Sequence, residues 1–313
     1  MKHLQRKVWI NGEIVPESEA RISIYDSAFM FGDTVFEMTR SFNGVQFKLR
    51  EHIERLLASA KYVRIPMDMD ADAIEEACAA VQEANEFEPD DEHRLMINVT
   101  RGLLGIYRGV DGGHYGTNVI ISDFPLRWTT AGMGKLFDTG INAVTPSQRA
   151  IPAHLLEPKV KNRSRMHYQM ANIEVSQYKG DNNWALLLDP DGFITEGTGA
   201  NFFIIKDQDG FTPEERNILR GISREFVWEL TYVEEKNIEP YDVYEADEAF
   251  FTGTPFCILP VTSFNGVKIG DGTVGPVFKD LLEDWSDEVG VDIKAQIQAW
   301  DIGGEDGITP YKF

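Results

Sequence analysis

Hydrophobic and polar positions follow two different periods in the first 125 residues, which indicates a mixture of strands and helices. Two Asn-Gly pairs each stand between short apolar runs, a pattern that is typical of tight β-hairpins. Apolar residues recur every three or four positions in two later segments, which favours helices. The predicted elements are hairpins at 11–12 and 43–44, helices over 53–60 and 70–84, and buried strands over 94–100 and 117–124. Because these elements do not alternate as repeated βαβ units, a doubly wound parallel sheet is disfavoured.

The chain beyond residue 134 has many short strands and few helices. Strands are predicted over 141–144, 184–188, 201–205 and 249–252, and helices over 163–178, 223–235 and 277–289. So many short strands in about 150 residues favour a barrel-like domain. We therefore predict an α+β chain with a small N-terminal domain over 1–125, an interdomain loop over 126–134, a large barrel-like domain over 135–290 and a loosely held tail over 291–313.

Composition narrows the classes of partner and compartment. The net charge of −21, from 30 lysines and arginines against 51 aspartates and glutamates, opposes binding to nucleic acid or to an anionic membrane surface. No apolar run approaches the ~18 residues of a membrane span, and the basic N-terminus lacks the apolar core of a signal peptide. The two cysteines and six histidines show no metal-ligand spacing, so no metal site is predicted. We therefore expect a cytoplasmic protein that acts on small molecules.

The most informative segment is the glycine-rich turn over 192–203, which contains Glu196. Glycine-rich turns that bind nucleotides run from a strand into a helix, whereas strands flank this turn on both sides, so a nucleotide site is weakly supported. What remains is a glutamate at a strand end beside a tight turn. Taken alone, this feature fits an ordinary solvated turn as well as a functional carboxylate.

A basic cluster over 158–165 is unusual in so acidic a chain, and it contains Lys159 and Lys161 just before a predicted helix. Most basic clusters are simply solvated. A neighbouring cation, however, lowers the pKa of a lysine and keeps its amine nucleophilic. Because Val160 alone separates the two lysines, alternation along the chain does not select one of them.

Three further features could bind an anion. Gly221 and Ser223 stand at a predicted helix start, where free N–H groups attract negative charge. The turn over 251–255 follows an apolar strand and carries hydroxyl groups on both sides of its glycine. Arg55 lies on the polar side of its helix, where it could equally be a surface charge.

Together these segments resemble the class IV aminotransferases, the fold type IV pyridoxal-phosphate enzymes. The matching segments are Phe31–Glu37, Arg50–Leu57, Lys161, Thr195–Phe203, Leu219–Arg224 and Phe251–Pro260. They follow the order of the family and span most of the chain, which makes the set far more specific than any one segment. The resemblance implies an N-terminal α/β sandwich, a C-terminal pseudo-barrel with helices, and pyridoxal 5'-phosphate as the cofactor.

The resemblance also implies a role for each matched residue. Lys161 would hold the cofactor as an internal Schiff base and then shuttle a proton at the substrate Cα. Its spacing to Ala171 and Glu174 is similar to the lysine segment of D-amino-acid transaminases, which favours Lys161 over Lys159. Glu196 would keep the pyridine nitrogen protonated, so that the ring accepts electrons. The residues that would hold the phosphate and the ring face are Arg55, Ile222, Ser223, Thr254 and Leu219.

The sequence departs from the branched-chain enzymes mainly where the substrate would bind. Pro255 stands where those enzymes offer a backbone N–H to the substrate α-carboxylate, and proline has no N–H. Phe36 and Arg40 would line the substrate pocket. Arg108 is a weak candidate for the carboxylate-binding arginine that the D-amino-acid and lyase branches place in a loop. The identity of the substrate is therefore open.

The first hypothesis is a homodimeric aminotransferase that moves an amino group between an amino acid or amine and a 2-oxo acid, with branched-chain specificity ranked first. A D-amino-acid or (R)-amine transaminase is the alternative, and Pro255 favours it. An aminodeoxychorismate lyase is less favoured, and it would need no second oxo acid. A binding protein without activity is least favoured, because both Lys161 and Glu196 are present.

Overall fold

The structure is a computed structural model that describes residues 5–107, 109–180 and 182–301. The chain divides into two units between Leu126 and Arg127. The short segment Val160–Arg165 belongs to the first unit, although the residues on both sides of it belong to the second. The sequence-based division placed this segment in the barrel-like domain, so the structure differs there. No helix within the described ranges is both long and apolar enough to cross a membrane.

The first unit contains a five-stranded antiparallel sheet with two helices on one face. Its elements are β1 (Lys7–Ile10), β2 (Glu13–Pro16), α1 (Ser27–Phe31), β3 (Thr34–Met38), β4 (Ser41–Phe42), β5 (Val45–Gln46), α2 (Leu49–Tyr62), α3 (Ala71–Glu83), β6 (His93–Thr100) and β7 (Asn118–Pro125). The strand order is β2-β1-β7-β6-β3. The two predicted Asn-Gly hairpins join β1 to β2 and β4 to β5, and both residues of each pair have positive φ, as tight hairpin turns require.

The two faces of this sheet carry different side chains because residues alternate along each strand. Leu95, Ile97 and Val99 of β6 are fully buried and pack in one core with Ile53 and Leu56 of α2. The intervening residues of β6 point to the opposite face, where Asn98 pairs across the strands with Phe36 of β3. The helix-covered face holds the core, and the other face carries Phe36 and Asn98.

The segment Val160–Arg165 pairs with β3 and extends the sheet at that edge. The Phe36 N–H donates to the Lys161 carbonyl at 2.9 Å, and the Arg163 N–H donates to the Thr34 carbonyl at 3.0 Å. Val35 and Asn162 form an antiparallel bridge between these bonds. This pairing explains why the helix predicted over 163–178 begins only at residue 166, since the residues before it are held in extended conformation.

The second unit consists of short strands and helices. Its elements are α4 (Arg127–Thr130), α5 (Leu136–Thr139), β8 (Ile141–Val144), α6 (Met166–Val175), β9 (Asn183–Leu188), β10 (Ile194–Gly197), β11 (Asn201–Lys206), β12 (Asp209–Pro213), α7 (Ile222–Leu230), β13 (Val233–Lys236), α8 (Pro240–Glu245), β14 (Glu248–Gly253), β15 (Cys257–Phe264), β16 (Val267–Lys268), α9 (Pro276–Val289) and α10 (Ile293–Ala299).

Six of these strands close into a barrel. They are hydrogen-bonded in the order β10-β9-β8-β15-β14-β11, and β11 pairs in turn with β10. The closing pair is Glu196 with Asn201. The strands β12, β13 and β16 extend the sheet outside this ring. The predicted barrel-like domain is confirmed, and so is the α+β fold with a sheet and helices in the first unit.

Two of the connecting segments are more ordered than predicted. The interdomain loop expected over 126–134 contains α4 and a 3₁₀ turn over Ala131–Met133, with the Met133 side chain buried. The tail expected from residue 291 contains α10, which the Asp292 side chain caps and which buries Ile293 and Ile297 completely. Apolar burial therefore overrides the polar character of both segments. Residues 302–313 of the predicted tail lie outside the described residues.

Candidate active site

Glu37 is a buried carboxylate between two basic side chains of α2. It lies on β3, on the helix-covered face, and it has no solvent exposure. Arg55 donates two hydrogen bonds to it, from Nε to Oε1 at 2.6 Å and from Nη2 to Oε2 at 2.8 Å. His52 Nδ1 lies 2.7 Å from Oε2. The helical spacing of residues 52 and 55 places both side chains on the same face of α2, toward the sheet.

These contacts set the ionisation of the cluster. Burial alone would raise the pKa of Glu37, but the charges of Arg55 and Lys161 and the hydrogen bond from His52 outweigh it and hold the pKa well below its ordinary value of 4.5. Burial lowers the pKa of His52 below 6.5, against the opposing effect of Glu37. Glu37 is therefore an anion at neutral pH, and the imidazole is held neutral with its Nδ1–H toward the carboxylate.

The two candidate lysines have different surroundings. The Lys159 ammonium pairs with Glu157 at 3.2 Å, within the second unit. Lys161 belongs to the first unit, where its Nζ lies 5.4 Å from the centre of the Phe36 ring and its charge acts on Glu37. Val160 is buried in the core, so alternation turns Lys161 to the opposite face of the sheet. This arrangement supports Lys161 as the reactive lysine, because a strand edge holds its backbone and directs its amine away from the core.

The buried carboxylate Glu196 lies at the seam of the barrel. Its Oε1 accepts a hydrogen bond from the Tyr168 hydroxyl at 2.7 Å, and its Oε2 accepts from Asn201 Nδ2 at 3.1 Å and from the Leu219 N–H at 2.9 Å. All three partners donate, which suits an ionised carboxylate. Glu196 is thus a well-packed acid and not a solvated turn residue, and Tyr168 of α6 and Asn201 of β11 fix its orientation from two sides.

Glu196 begins a row of polar side chains across three neighbouring strands. Glu196 pairs with Asn201, and Asn201 pairs with Thr252 of β14, so the three lie side by side on one face. The Thr252 Oγ1 is buried and has no hydrogen-bond partner among the described residues. A buried hydroxyl without a partner is uncommon in proteins and indicates a place where a polar ligand group completes the network.

The N-terminus of α7 lies beside this row. Its N-cap is Gly221, which supplies no side-chain cap to the first N–H groups of the helix. Asn201 Oδ1 approaches so closely that a Cβ on Gly221 would lie 2.0 Å from it, which explains the glycine. Ile222 and Ser223 follow and are buried. An uncapped helix start with buried backbone donors is suited to an anion such as a phosphate.

Other predicted residues are placed as follows. The Arg40 guanidinium is 1% exposed and lies 3.8 Å from the centre of the Phe42 ring, which gives it a packing role in the first unit and does not support a substrate contact. Thr254 and Pro255 are half-buried in the turn between β14 and β15. Arg108 lies outside the described residues, so its predicted role is untouched by the structure.

Several functional candidates are not evident from the sequence. Tyr168 and Thr252 approach Glu196 and Asn201 only through long-range pairing, and nothing near them in the chain marks them. Asn201 lies within the glycine-rich segment, but the sequence alone assigns it no role. The spacing of Glu37, His52 and Arg55 would have indicated the buried cluster only if β3 had been known to pack on α2.

Comparison with known proteins identifies the family. The family model for amino-transferase class IV matches residues 34–264. A putative branched-chain-amino-acid aminotransferase of Methanocaldococcus jannaschii is 35% identical over 291 residues, which cover 90% of this chain and 96% of that protein. The branched-chain-amino-acid aminotransferase of Escherichia coli K12 is 32% identical over 287 residues, which cover 88% of this chain and 90% of that protein.

Solved structures agree. A crystal structure of the Escherichia coli branched-chain amino acid aminotransferase matches with a TM-score of 0.79 at 30% identity, covering 88% of this chain and 92% of the other. The branched-chain amino acid aminotransferase of Thermobaculum terrenum in its PLP-bound form matches with a TM-score of 0.80 at 26% identity, covering 95% and 97%. The fold and the site therefore define a pyridoxal-phosphate-dependent transaminase. The chain belongs to the class IV aminotransferases.

The residues present fit this cofactor. A buried carboxylate suits a protonated pyridine nitrogen, a half-buried lysine supplies an amine, and an uncapped helix start supplies donors for a phosphate. The Thr252 hydroxyl, which has no hydrogen-bond partner among the described residues, adds a further donor or acceptor in the row with Glu196 and Asn201. Arg55 is less simple, because it already donates two hydrogen bonds to Glu37.

Glu37→Gln tests the buried cluster. We expect the variant to lose about 3–5 kcal/mol of unfolding free energy near pH 7, because it removes the anion that pairs with the Arg55 side chain, which is only 12% exposed. The folded-state pKa of Glu37 is below the unfolded value, so this stabilisation is present above pH 4.5 and is lost as pH falls below it. Urea unfolding of both proteins over this pH range measures the difference. The exposed Glu51→Gln on the same helix should change stability by less than about 0.5 kcal/mol. A difference that stays constant as pH falls would contradict the assignment.

Proposed function

We propose that this enzyme transfers the amino group of an L-branched-chain amino acid to a 2-oxo acid such as 2-oxoglutarate, and forms the branched-chain oxo acid in return. One observation carries the choice of substrate. Relatives named as branched-chain-amino-acid aminotransferases are 32–35% identical over 88–90% of the chain. Similarity over that length includes parts of both units.

The chemistry divides between the cofactor and the side chains of this chain. When bound, pyridoxal phosphate supplies a carbonyl for amine exchange and a ring that accepts the electrons of a broken Cα–H bond. Lys161 would hold the cofactor through its amine and would move a proton at the substrate Cα. Glu196 holds a proton on the pyridine nitrogen, and Tyr168, Asn201 and the Leu219 N–H keep Glu196 ionised and oriented for this task.

The phosphate is proposed to bind the N–H groups of Ile222 and Ser223 and the hydroxyl of Thr254, with Arg55 as a further cation. The structure supports the first two through the uncapped start of α7. Local donors of this kind are needed because a chain with a net charge of −21 repels a dianion at long range. Leu219 is proposed to pack against one face of the ring, which agrees with its half-buried side chain.

A second candidate is a D-amino-acid or (R)-amine transaminase. The observation that favours it is Pro255, which removes a backbone donor from the turn between β14 and β15. A substrate without an α-carboxylate, or one that places its carboxylate elsewhere, does not need that donor. Phe36 is proposed to line the substrate pocket in either case.

Lys161→Ala tests the assignment of the lysine. The purified wild-type protein should absorb near ~410–420 nm when the cofactor is attached to a lysine. We expect Lys161→Ala to lose this band and all transamination, because the amine that carries the cofactor is gone. Lys159→Ala is the matched control and should keep both. If Lys159→Ala lost the band while Lys161→Ala kept it, the assignment would be wrong.

A half-reaction screen tests the substrate. The holoenzyme is mixed separately with L-leucine, L-glutamate, D-alanine and (R)-1-phenylethylamine, and loss of the lysine-bound cofactor band is followed. We expect L-leucine and L-glutamate to discharge the band, because they are the two amino donors of the proposed cycle. Conversion with only D-alanine or the (R)-amine would replace the proposed function with the second candidate.

The protein is further proposed to be a homodimer. The support is an apolar patch on the first unit that is too exposed for a monomer surface. Phe29 and Phe31 of α1 are 73% and 65% exposed, and Ile106 of the neighbouring 3₁₀ turn is 80% exposed. The Tyr25 and Tyr107 rings lie 5.2 Å apart and join these two segments into one surface.

Phe29→Asp tests the dimer. A charge in the centre of a self-complementary patch is repeated across a two-fold interface, so we expect the variant to elute as a monomer. Light scattering coupled to gel filtration gives the mass of both proteins. Val267→Asp places the same charge on an exposed apolar residue of the second unit and should leave the mass unchanged. A wild-type protein that is already monomeric would refute the proposal.

A further inference from the structure

Arg163 is held rigidly on the side of the sheet that faces away from the core. Its guanidinium carbon lies 3.6 Å from the centre of the Phe36 ring, which places the planar cation against the aromatic face. Its Nε and Nη2 donate to Asn98 Oδ1 at 3.2 and 2.9 Å. Phe36 and Asn98 are cross-strand neighbours, so one residue pair of the sheet fixes both the plane and the tilt of the guanidinium.

No acidic side chain among the described residues pairs with Arg163. Its contacts there are Asn98, Met96 and the Phe36 ring, with the like charge of Arg165 at 4.9 Å from the same ring. Burial and the charge of Arg165 lower the pKa of Arg163 to about 10. The group is therefore still a cation at neutral pH, in surroundings that oppose its charge. Its side chain nevertheless keeps an exposed edge, so that a small anion can reach it.

Arg163 also shares its ring with the reactive lysine. Lys161 and Arg163 alternate with Asn162, which bridges to Val35 on the core side, so both cations project to the Phe36 face. One ring therefore supports the amine proposed to exchange with the substrate and a guanidinium two residues away. Both cations are therefore placed by the same aromatic side chain.

We propose that Arg163 binds a carboxylate of the substrate, with Phe36 and Asn98 as its positioning residues. The proposal rests on Lys161 being the reactive lysine of the proposed function. A guanidinium binds both oxygens of a carboxylate through paired N–H groups. Amino acids and 2-oxo acids all carry an α-carboxylate, and glutamate and 2-oxoglutarate carry a second one. Arg163 supplies a donor for such a group in an enzyme whose Pro255 removes one.

Binding of unreactive ligands tests the proposal without turnover. The probes are 4-methylvalerate with one carboxylate, glutarate with two, and the uncharged 4-methylvaleramide. Isothermal calorimetry on the holoenzyme gives each Kd. We expect Arg163→Gln to weaken binding of glutarate, or of both acids, by roughly 10- to 100-fold and to leave the amide unchanged. Arg163→Lys keeps the charge without the paired N–H groups. Its Kd for the affected acids should fall between the values for wild type and Arg163→Gln.

The two acids identify which carboxylate is bound. An equal loss for both acids assigns Arg163 to the carboxylate that all substrates share, and a loss confined to glutarate assigns it to the second carboxylate of a dicarboxylic substrate. Arg216→Gln removes the same charge from an exposed pair with Glu214 and should leave every Kd within two-fold. Asn98→Ala should reproduce part of the Arg163→Gln loss, because the guanidinium then loses its fixed tilt.

Two results would overturn the proposal. One is an Arg163→Gln variant that keeps its cofactor band and binds both acids within two-fold of wild type. The other is loss of the cofactor band in that variant, which would show that Arg163 serves the fold or the cofactor. Neither depends on which amino acid is turned over, so failure of L-leucine in the substrate screen leaves this test intact.

Discussion

The pairing of Val160–Arg165 with the edge of β3 is the interaction on which the placement of Lys161 and Arg163 depends. Residues on both sides of this six-residue segment belong to the second unit. Two backbone hydrogen bonds hold the segment as an added strand of the first unit. The alternation of that strand then decides every orientation: Val160 enters the core, whereas Lys161 and Arg163 project beside Phe36. A lysine on a strand edge is placed more accurately than one on a loop, because its own carbonyl and the N–H of Arg163 are hydrogen-bonded to β3.

The two buried glutamates show how one side chain serves different purposes. Glu37 is surrounded by Arg55 and His52, and its charge is satisfied within the unit. Glu196 accepts hydrogen bonds from Tyr168, Asn201 and a backbone N–H, which orient its carboxylate. The second arrangement suits the proposed contact with a protonated ring nitrogen. The first stabilises the packing of α2 on β3.

Local sequence patterns predicted the elements whose structure depends mainly on neighbouring residues. The Asn-Gly hairpins, the strand over residues 141–144 and the barrel character of the second unit follow from turn chemistry and strand periodicity. The ordered motifs identified the family and its cofactor. The helix predicted through residue 235 ends at Leu230 instead, because residues 233–236 pair with β12. Tyr168, Thr252 and Arg163 could not be assigned because their roles arise from strand neighbours that are distant in the chain.

Closure of the barrel through Glu196 and Asn201 has a consequence for the evolution of this enzyme. The same pair that completes the ring of strands also carries the acid and its donor, and Gly221 leaves no space for a larger neighbour. A substitution of either residue therefore changes the acid and the closure of the barrel together. The Phe36 face of the smaller unit is not part of this closure, so substitutions there leave the ring of strands intact.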